Sequence, residues 1–270
     1  MSENGHRAPL DVDGVRRDLV GPSRALRRLE VLDTTGSTNA DLLERARSGE
    51  DIEGVVLVAE HQSAGRGRHG RSWSAPARSQ LALSLGVGAA GLPPAAWGWL
   101  PLLTGVAVVD AVRATTGIDA GLKWPNDVMV GSGKLGGILA EVAPGGPAIV
   151  VGVGLNVSLR AEEAPDPRAT SLVMLGSTMI DRSALLGSIL AEWTARIDRW
   201  RALRGDDPSL ARDYRDRSVT LGRRVRVELP GGREITGIAT DIDESGQLRI
   251  ATGAHTTSVA AGDITHLRDG

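Results

Sequence analysis

The chain of 270 residues lacks cysteine and phenylalanine altogether and contains a single tyrosine. Without cysteine, the protein can form no disulfide bond, no thiolate metal site and no thiol nucleophile. Because aromatic residues are scarce, the hydrophobic core must be built from leucine, valine, isoleucine and alanine. The lack of disulfide bonds is compatible with a reducing cytoplasm.

The sequence also has no excess of positive charge and no long apolar run. Its formal net charge of −2 gives no overall field that would attract nucleic acid or an acidic membrane surface. No uninterrupted apolar stretch reaches the ~18 residues of a membrane span, and the polar N-terminus has no signal core. We therefore expect a soluble, cytoplasmic protein without nucleic-acid or membrane partners, in which any anion site is local.

Hydrophobic periodicity predicts a domain of strands and helices followed by a small β domain. Strands are predicted at residues 26–32, 55–59, 80–87, 122–130, 134–141 and 148–155. Helices are predicted at residues 11–20, 40–47, 95–116 and 182–203. Residues 162–167 are predicted to be a loop, and residues 1–9 a disordered tail.

After residue 218 the pattern changes to short alternating strands, predicted at 224–229, 234–241, 248–252 and 255–259. Turn signals separate them at residues 230–232, 244–246 and 253–254. Several short strands in so small a segment are typical of a small barrel. The sequence thus predicts an α+β fold, with a mixed β-sheet and helices in residues 1–217 and a small β-barrel domain in residues 218–270.

The stretch from Gly65 to Trp73, GRGRHGRSW, joins two predicted strands and is longer than a hairpin needs. Glycine lets the backbone approach a ligand closely, and the arginine guanidinium matches phosphate or carboxylate. Long loops in compact domains are usually functional or disordered. A solvated surface loop, a nucleic-acid contact and an anion-binding loop that closes over a ligand all fit this stretch by itself.

A polar cluster, TTGSTN at residues 34–39, precedes the helix predicted at 40–47. Thr38 and Asp41 fit a capping box, so the cluster could serve only to begin the helix. The same side chains could instead face a ligand at the helix start. The two interpretations are compatible, and the cluster does not decide between them.

Three further motifs place polar groups or paired glycines in β patterns. The segment 122–130, LKWPNDVMV, carries a lysine, an amide and a carboxylate in a predicted strand, a local inconsistency typical of functional sites. Lys134 lies at the mouth of the following hairpin, and Gly136 and Gly137 indicate that something packs closely on that backbone. Asn156, at the end of an apolar strand, either forms a turn or hydrogen-bonds a ligand.

In this order the motifs closely resemble those of the biotin protein ligases. They are GSTN at 36–39, Gln62, GRGRHGRSW at 65–73, KWPND at 123–127, KLGGI at 134–138 and GVGLN at 152–156. The resemblance extends to the C-terminal β domain, which it implies to be SH3-like. It is to the monofunctional members, because too few residues precede the motifs for the N-terminal winged helix-turn-helix of the repressor members.

The resemblance implies an ATP-dependent, AMP-forming ligase. Such enzymes join biotin to ATP as biotinyl-5′-AMP and transfer biotin to one lysine of a biotin carboxyl carrier domain of acetyl-CoA, acyl-CoA or pyruvate carboxylase. The implied ligands are biotin and ATP with Mg²⁺, for which no dedicated ligand set is evident. The expected assembly is a monomer or a weak homodimer.

The resemblance also implies roles for individual residues. It assigns catalysis to Lys134, Arg68, Lys123 and Asp127. It assigns biotin binding to Ser37, Thr38, Asn39, Gln62, Gly65, Arg66, Gly67, Arg68, Lys134, Gly136 and Gly137. It assigns ATP and adenylate binding to Arg66, Arg68, Arg71, Trp73, Asn126, Lys134 and Asn156, with Trp73 as a cover over the adenosine. His69 stands where arginine is common in the family, so no phosphate contact is carried over to it.

Three alternatives remain open at this stage. A lipoate-type protein ligase resembles biotin ligases in its catalytic fold. A nucleic-acid-binding protein could use the Gly/Arg loop, although it would be basic and would carry aromatic residues beside the arginines. A non-catalytic biotin-binding protein would not need Lys123 or Lys134.

Overall fold

The chain forms two β-sheets, and helices cover the larger one. The structure, a computed structural model, describes residues 7–21, 24–178, 180–229, 231–253 and 255–267. The helices are α1 (Asp13–Leu19), α2 (Thr38–Arg47), α3 (Trp99–Thr116), α4 (Arg182–Ala202) and α5 (Pro208–Arg217). The strands of the larger sheet are β1 (Arg28–Leu32), β2 (Val55–Ala59), β3 (Gln80–Gly88), β4 (Gly121–Lys123), β5 (Asp127–Val130), β6 (Gly133–Val142) and β7 (Ala148–Asn156).

The larger sheet has the strand order β1-β2-β3-β7-β6-β5-β4. Only β1 and β2 run parallel, so the predicted mixed sheet is confirmed. All five residues of β2 are buried, as are the first eight of β3. Strands buried on both faces consist of continuous apolar runs rather than alternating patterns, which is why 55–59 was recognisable as a strand.

The helix α3 forms the centre of the hydrophobic core. Most of its residues are buried, and it packs beside α4. It ends where Gly117 adopts a left-handed φ of 72°, as the sequence predicted. The segment Pro94–Thr116 is long and apolar enough to span a membrane. However, 72% of its most hydrophobic stretch of 18 residues is buried inside the fold, as in the core helix of a globular domain.

The smaller sheet contains five antiparallel strands in the order β11-β10-β9-β8-β12. They are β8 (Arg224–Glu228), β9 (Glu234–Ile242), β10 (Leu248–Thr252), β11 (His255–Val259) and β12 (Asp263–His266). Gly231, Gly232 and Gly253 have positive φ, as turns between strands require. Pro230 and Ala254 of the predicted turns lie outside the described residues.

Sequence analysis missed α5 and β12. The start of α5 carries ordinary helix signals that were overlooked, since Asp207 caps it and Pro208 occupies its first turn. The strand β12 has only four residues and one buried apolar side chain, so its pattern is too short to recognise.

Two tryptophans of the larger unit anchor the smaller sheet. The Trp124 indole Nε1 donates to the carbonyl of Gly246 at 3.1 Å, and its backbone N–H donates to Thr220 Oγ1 at 3.1 Å. The Trp99 indole donates to the carbonyl of Glu244 at 2.9 Å. The smaller sheet therefore has a defined position beside β4 and β5.

A buried ion pair ties the N-terminal segment to the sheet. Arg182 and Glu60 are 8% and 3% exposed, and Arg182 Nη2 donates to Glu60 Oε2 at 2.7 Å. The same Nη2 donates to the carbonyl of Ala8 at 2.7 Å, and the Leu10 N–H donates to Glu60 Oε1 at 2.6 Å. The predicted disorder is therefore wrong for residues 7–9, which these bonds hold, whereas residues 1–6 lie outside the described residues.

We expect Glu60→Ala to lower the free energy of unfolding by about 3–5 kcal/mol, because it leaves the Arg182 guanidinium buried without a counter-charge. Urea unfolding measures this loss. As a control, Glu44→Ala removes an exposed ion pair with Arg47 and should change stability by at most about 1 kcal/mol. Equal effects of the two substitutions would contradict the structural role of the Glu60–Arg182 pair.

Candidate functional site

A cavity of about 700 Å³ opens over β6 and β7, between the start of α2, the 65–73 loop and the smaller sheet. Fifteen of the seventeen predicted site residues line it. They are Ser37, Thr38, Asn39, Gln62, Arg66, Gly67, Arg68, Arg71, Trp73, Lys123, Asn126, Asp127, Lys134, Gly137 and Asn156. The structure thus brings together motifs that are more than one hundred residues apart in the chain.

The two remaining predicted residues, Gly65 and Gly136, lie outside the lining and have steric roles. A Cβ atom on Gly65 would lie 2.3 Å from the carbonyl oxygen of Trp73. A Cβ atom on Gly136 would lie 2.9 Å from the carbonyl oxygen of Gly154 on the neighbouring strand. Both positions therefore need glycine because backbone approaches them closely.

The floor of the cavity is bare backbone at three glycines of β6 and β7. Gly137 and Gly154 are cross-strand partners, and a Cβ atom on Gly154 would lie 2.4 Å from Cε2 of Trp73. A Cβ atom on Gly152 would lie 2.2 Å from Oδ1 of Asn39. Side chains from two other elements therefore rest directly on the sheet, as the paired glycines of the sequence indicated for β6.

Trp73 lies against this floor and is held by a hydrogen bond. Its indole Nε1 donates to Gln80 Oε1 at 2.5 Å, and the Gln80 side chain is buried. The Lys134 ammonium lies 5.8 Å from the centre of the Trp73 ring, within cation–π range. Trp73 thus forms part of the cavity wall, and its predicted role as a cover over adenosine stays a prediction. Gln80 had no motif in the sequence that would have marked it.

The 65–73 loop is folded as a compact hairpin. The N–H of Gly67 donates to the carbonyl of Arg71 at 2.7 Å, and the N–H of Trp73 donates to the carbonyl of Gly65 at 2.8 Å. Its tip turns through Arg68–Gly70, where His69 and Gly70 have φ values of 55° and 73°. A left-handed conformation is uncommon for a residue other than glycine, so surrounding contacts must hold His69 in place.

Those contacts come from the smaller sheet, at the start of β12. The Arg71 guanidinium pairs with the carboxylate of Asp263, and His69 Nε2 lies 3.9 Å from the same carboxylate. Arg68 Nη1 donates to Asn126 Oδ1 at 3.1 Å and approaches the carbonyl of Gly262 at 3.5 Å. Asp263 is thus a site residue that sequence analysis missed, since a lone aspartate in an unrecognised strand carries no motif.

Positive charge gathers around Asp127 at the other side of the cavity. Lys134 Nζ lies 2.6 Å from Asp127 Oδ1, and Lys123 is the cross-strand partner of Asp127. Burial lowers the pKa of the Lys123 ammonium, while the Asp127 carboxylate opposes this change. Burial likewise lowers the pKa of the Arg68 guanidinium, against the effect of Asp263 and Asp127. These cations are partly desolvated, so an anion placed among them would interact strongly.

The opposite end of the cavity is uncharged and polar. The Thr38 N–H donates to Gln62 Oε1 at 2.9 Å, and the Thr38 hydroxyl lies 3.2 Å from the same oxygen. The helix α2 is capped by Ser37, whose Oγ accepts from the N–H of Ala40. The predicted capping box of Thr38 and Asp41 is therefore wrong. The N-cap residue is Ser37, one position earlier, and Thr38 contacts Gln62 instead.

The last two predicted residues use their amides to fix backbone. Asn126 Nδ2 donates to the carbonyl of Ile138 at 3.2 Å, and Asn156 Nδ2 donates to the carbonyl of Thr170 at 2.9 Å. Asn156 thereby holds the segment after β7, of which Pro165, Asp166, Arg168 and Ala169 line the cavity. Sequence analysis assigned only a loop there, and the length of the connection from β7 to α4 was the one signal of function.

No group of three or more histidine, aspartate or glutamate side chains among the described residues could hold a metal ion. Four acidic side chains nevertheless line the cavity, namely Asp127, Asp166, Glu228 and Asp263. Mg²⁺ in nucleotide sites is commonly held by substrate phosphates together with one or two carboxylates, which this lining could supply.

Comparison with known proteins agrees with the motifs and the geometry. Residues 31–158 match the Biotin/lipoate A/B protein ligase family, and residues 220–267 match the biotin protein ligase C-terminal domain. A solved structure of the biotin protein ligase from Aquifex aeolicus in complex with biotin and ATP superposes with a TM-score of 0.75 at 28% identity, covering 90% of this chain and 100% of that one.

Curated relatives carry the likeness over the whole chain. The biotin–[acetyl-CoA-carboxylase] ligase of Mycobacterium tuberculosis is 54% identical over 265 residues, 97% of either chain. The ligase of the same name from Paracoccus denitrificans is 34% identical and covers 87% of this chain and 98% of its own length. The predicted α+β fold and the predicted family are thus confirmed, and the chain belongs to the biotin protein ligase family.

Proposed function

We propose that the protein activates biotin with ATP to biotinyl-5′-AMP and transfers the biotinyl group to a lysine of a biotin carboxyl carrier domain. The observation that carries this proposal is the division of one cavity into an uncharged polar end and a cationic end, joined by a floor of bare backbone. Biotin has the matching division, with a neutral cyclic urea at one end and a carboxylate at the other.

The polar end suits a cyclic urea. Gln62 uses its Oε1 to accept from Thr38, which leaves its Nε2 group to donate to a carbonyl oxygen. Thr38 and Gln62 are at least nine-tenths buried, so hydrogen bonds formed there are shielded from water. We assign the urea to these two side chains, and the apolar ring and valeryl chain to the glycine floor.

The cationic end suits the first reaction. A carboxylate oxygen of biotin bonds to the α-phosphorus of ATP, and the bond from that phosphorus to the pyrophosphate oxygen breaks. Negative charge accumulates during this step, and fixed cations stabilise it without reorganisation. We assign this role to Lys134, Lys123 and Arg68, with Arg66 and Arg71 nearer the phosphates. Mg²⁺ that enters with ATP would shield the leaving pyrophosphate.

The second reaction needs a neutral amine. The carrier lysine attacks the biotinyl carbonyl, the new C–N bond forms, and the C–O bond to AMP breaks. Asp127 is the carboxylate nearest to the Lys134 ammonium, and we assign to it the orientation of the incoming lysine and the acceptance of its proton. The 65–73 hairpin and Trp73 limit access of water to the mixed anhydride, which would otherwise hydrolyse.

The lipoate alternative is disfavoured by the C-terminal unit. The family model that covers residues 31–158 includes biotin and lipoate ligases, so it does not separate the two acids. Residues 220–267 match the biotin protein ligase C-terminal domain, and two of the curated relatives are named as biotin–[acetyl-CoA-carboxylase] ligases.

Isotope exchange between ATP and pyrophosphate, run with biotin and with lipoate, tests the assignment directly. We expect exchange with biotin, and biotinylation of an added carrier domain when ATP is present. Exchange with lipoate but not with biotin would overturn the proposed substrate, and exchange with neither would overturn the proposed reaction.

Replacing Lys134 by alanine should reduce biotin-dependent exchange by about 10²–10³-fold, because removal of one preorganised group at developing charge costs about 2.7–4 kcal/mol. The matched control is Arg113→Ala, which removes an exposed cation at the end of α3. Circular dichroism should show both variants folded. Wild-type exchange by the Lys134 variant would remove this lysine from the mechanism.

Asp263→Ala should loosen the Gly/Arg hairpin, because Arg71 and His69 lose the carboxylate that holds them to the smaller sheet. We expect trypsin to cleave between residues 66 and 71 faster in the variant, and biotin with ATP to slow the cleavage again. The control Asp119→Ala removes an exposed carboxylate that pairs with Arg113 and does not line the cavity. If the Asp263 variant is cleaved at the wild-type rate, the contact does not order the hairpin.

A further inference from the structure

Behind the polar end of the cavity, a chain of hydrogen-bonded side chains runs from Thr38, to which we assign the urea, to Ser84, Asn39 and Glu141, which have no role in the proposed reaction. Thr38, Asn39 and Ser84 are 3%, 4% and 0% exposed, and Glu141 lies at the outer end of the chain. Ser84 and Glu141 do not line the cavity. A buried, connected set of polar groups has a defined direction of donation, and this direction can be worked out from the outer end inward.

The side-chain amide of Asn39 can take only one orientation. Its Nδ2 group donates to Glu141 Oε2 at 2.8 Å and to the carbonyl of Leu139 at 3.2 Å. A backbone carbonyl can only accept hydrogen bonds, and the same holds for an ionised carboxylate. Both protons of the Asn39 amide are therefore used, and its Oδ1 must face the remaining neighbour, Ser84, above the bare backbone of Gly152.

The hydroxyl of Ser84 then has no choice of acceptor. Its oxygen lies 2.6 Å from Asn39 Oδ1 and 2.7 Å from Thr38 Oγ1, and it carries one proton. An amide oxygen has no proton to give, and two acceptors 2.6 Å apart would repel. Ser84 must therefore donate to Asn39, which leaves its contact with Thr38 to be made by the Thr38 proton.

With its proton directed at Ser84, the Thr38 hydroxyl can offer only lone pairs to the cavity. The alternative acceptor of that proton, Gln62 Oε1, is farther away at 3.2 Å and already accepts the Thr38 N–H. The polar end of the cavity thus presents an acceptor at Thr38 beside a donor at Gln62. This polarity matches a ligand whose N–H group adjoins a carbonyl oxygen.

We infer that Asn39 and Ser84 are positioning residues that fix the Thr38 hydroxyl as an acceptor and so select a ligand N–H at this point of the cavity. The inference rests on the proposed function, in which the N–H belongs to the cyclic urea of biotin. Asn39, which the family resemblance assigned to biotin contact, would act through Ser84 and Thr38, because both of its amide protons are used and its Oδ1 accepts from Ser84.

The test uses biotin and its two cyclic-carbamate analogues, in which one or the other ring N–H is replaced by oxygen. The replacement keeps the shape but turns a donor into an acceptor. For the wild type, we expect at least one analogue to have a kcat/KM for ATP–pyrophosphate exchange at least about 100-fold below that of biotin. The reason is that the buried Thr38 hydroxyl, an acceptor, is left without a donor. Dissociation constants from calorimetry should show the same ratio.

Ser84→Ala frees the Thr38 proton to turn toward the oxygen of the analogue. We expect the ratio of kcat/KM for biotin to kcat/KM for the analogue to fall by about tenfold or more, because biotin binds more weakly and the analogue more tightly. The KM for ATP should stay unchanged. Thr104→Ala is the matched control, since it removes a buried hydroxyl that bonds within α3 at 2.8 Å from the Leu100 carbonyl. It should keep the wild-type ratio.

A second variant keeps the test decisive if Ser84→Ala fails to fold. Glu141→Ala removes one of the two acceptors that orient the Asn39 amide, and it should lower the ratio in the same direction by a smaller factor. An unchanged ratio in the folded variants, or an equal loss for biotin and analogue, would overturn the inference. A wild type that shows no biotin-dependent exchange would instead overturn the proposed function, so the two failures are distinguishable.

Discussion

The site depends on a steric constraint, the absence of side chains at three glycines of β6 and β7. Gly137 and Gly154 face each other across the two strands and seat the Trp73 ring, while Gly152 makes room for Asn39. The Gly/Arg hairpin and the start of α2 can therefore approach the sheet to within van der Waals contact. Packed interiors tolerate little overlap, so a single methyl group on this floor would displace one of these elements.

The second organising feature is electrostatic and links the two sheets. The protein has a net charge of −2, and two cations of the cavity pair with carboxylates from other elements. Lys134 pairs with Asp127 of β5, and Arg71 pairs with Asp263 of β12. The smaller sheet therefore completes the site as well as extending the fold, and Trp124 keeps it in place through its bonds to Gly246 and Thr220. Fixed charges of this kind favour an anionic ligand without large rearrangement.

The sequence predicted the larger sheet and fifteen of the residues that line the cavity, because both depend on local signals. Buried runs such as 55–59 mark central strands, and a long Gly/Arg-rich loop such as 65–73 marks a candidate functional segment. It could not predict that Trp73 rests on Gly154 or that Asp263 meets Arg71, because each pairing joins segments whose distance depends on the complete fold. Ser37 took the helix cap expected of Thr38 because a tertiary partner, Gln62, outweighed the local preference.

Gly154→Ala tests the constraint on the floor most directly, since its methyl group would lie 2.4 Å from Trp73 and must displace the ring. The matched control, Gly146→Ala, adds a methyl group in open space in the turn between β6 and β7. Calorimetric titration with biotin should show affinity at least about tenfold weaker for Gly154→Ala, a loss of about 1.4 kcal/mol or more, and wild-type affinity for the control. If the folded Gly154 variant binds biotin as tightly as the wild type, the bare floor is not what the site depends on.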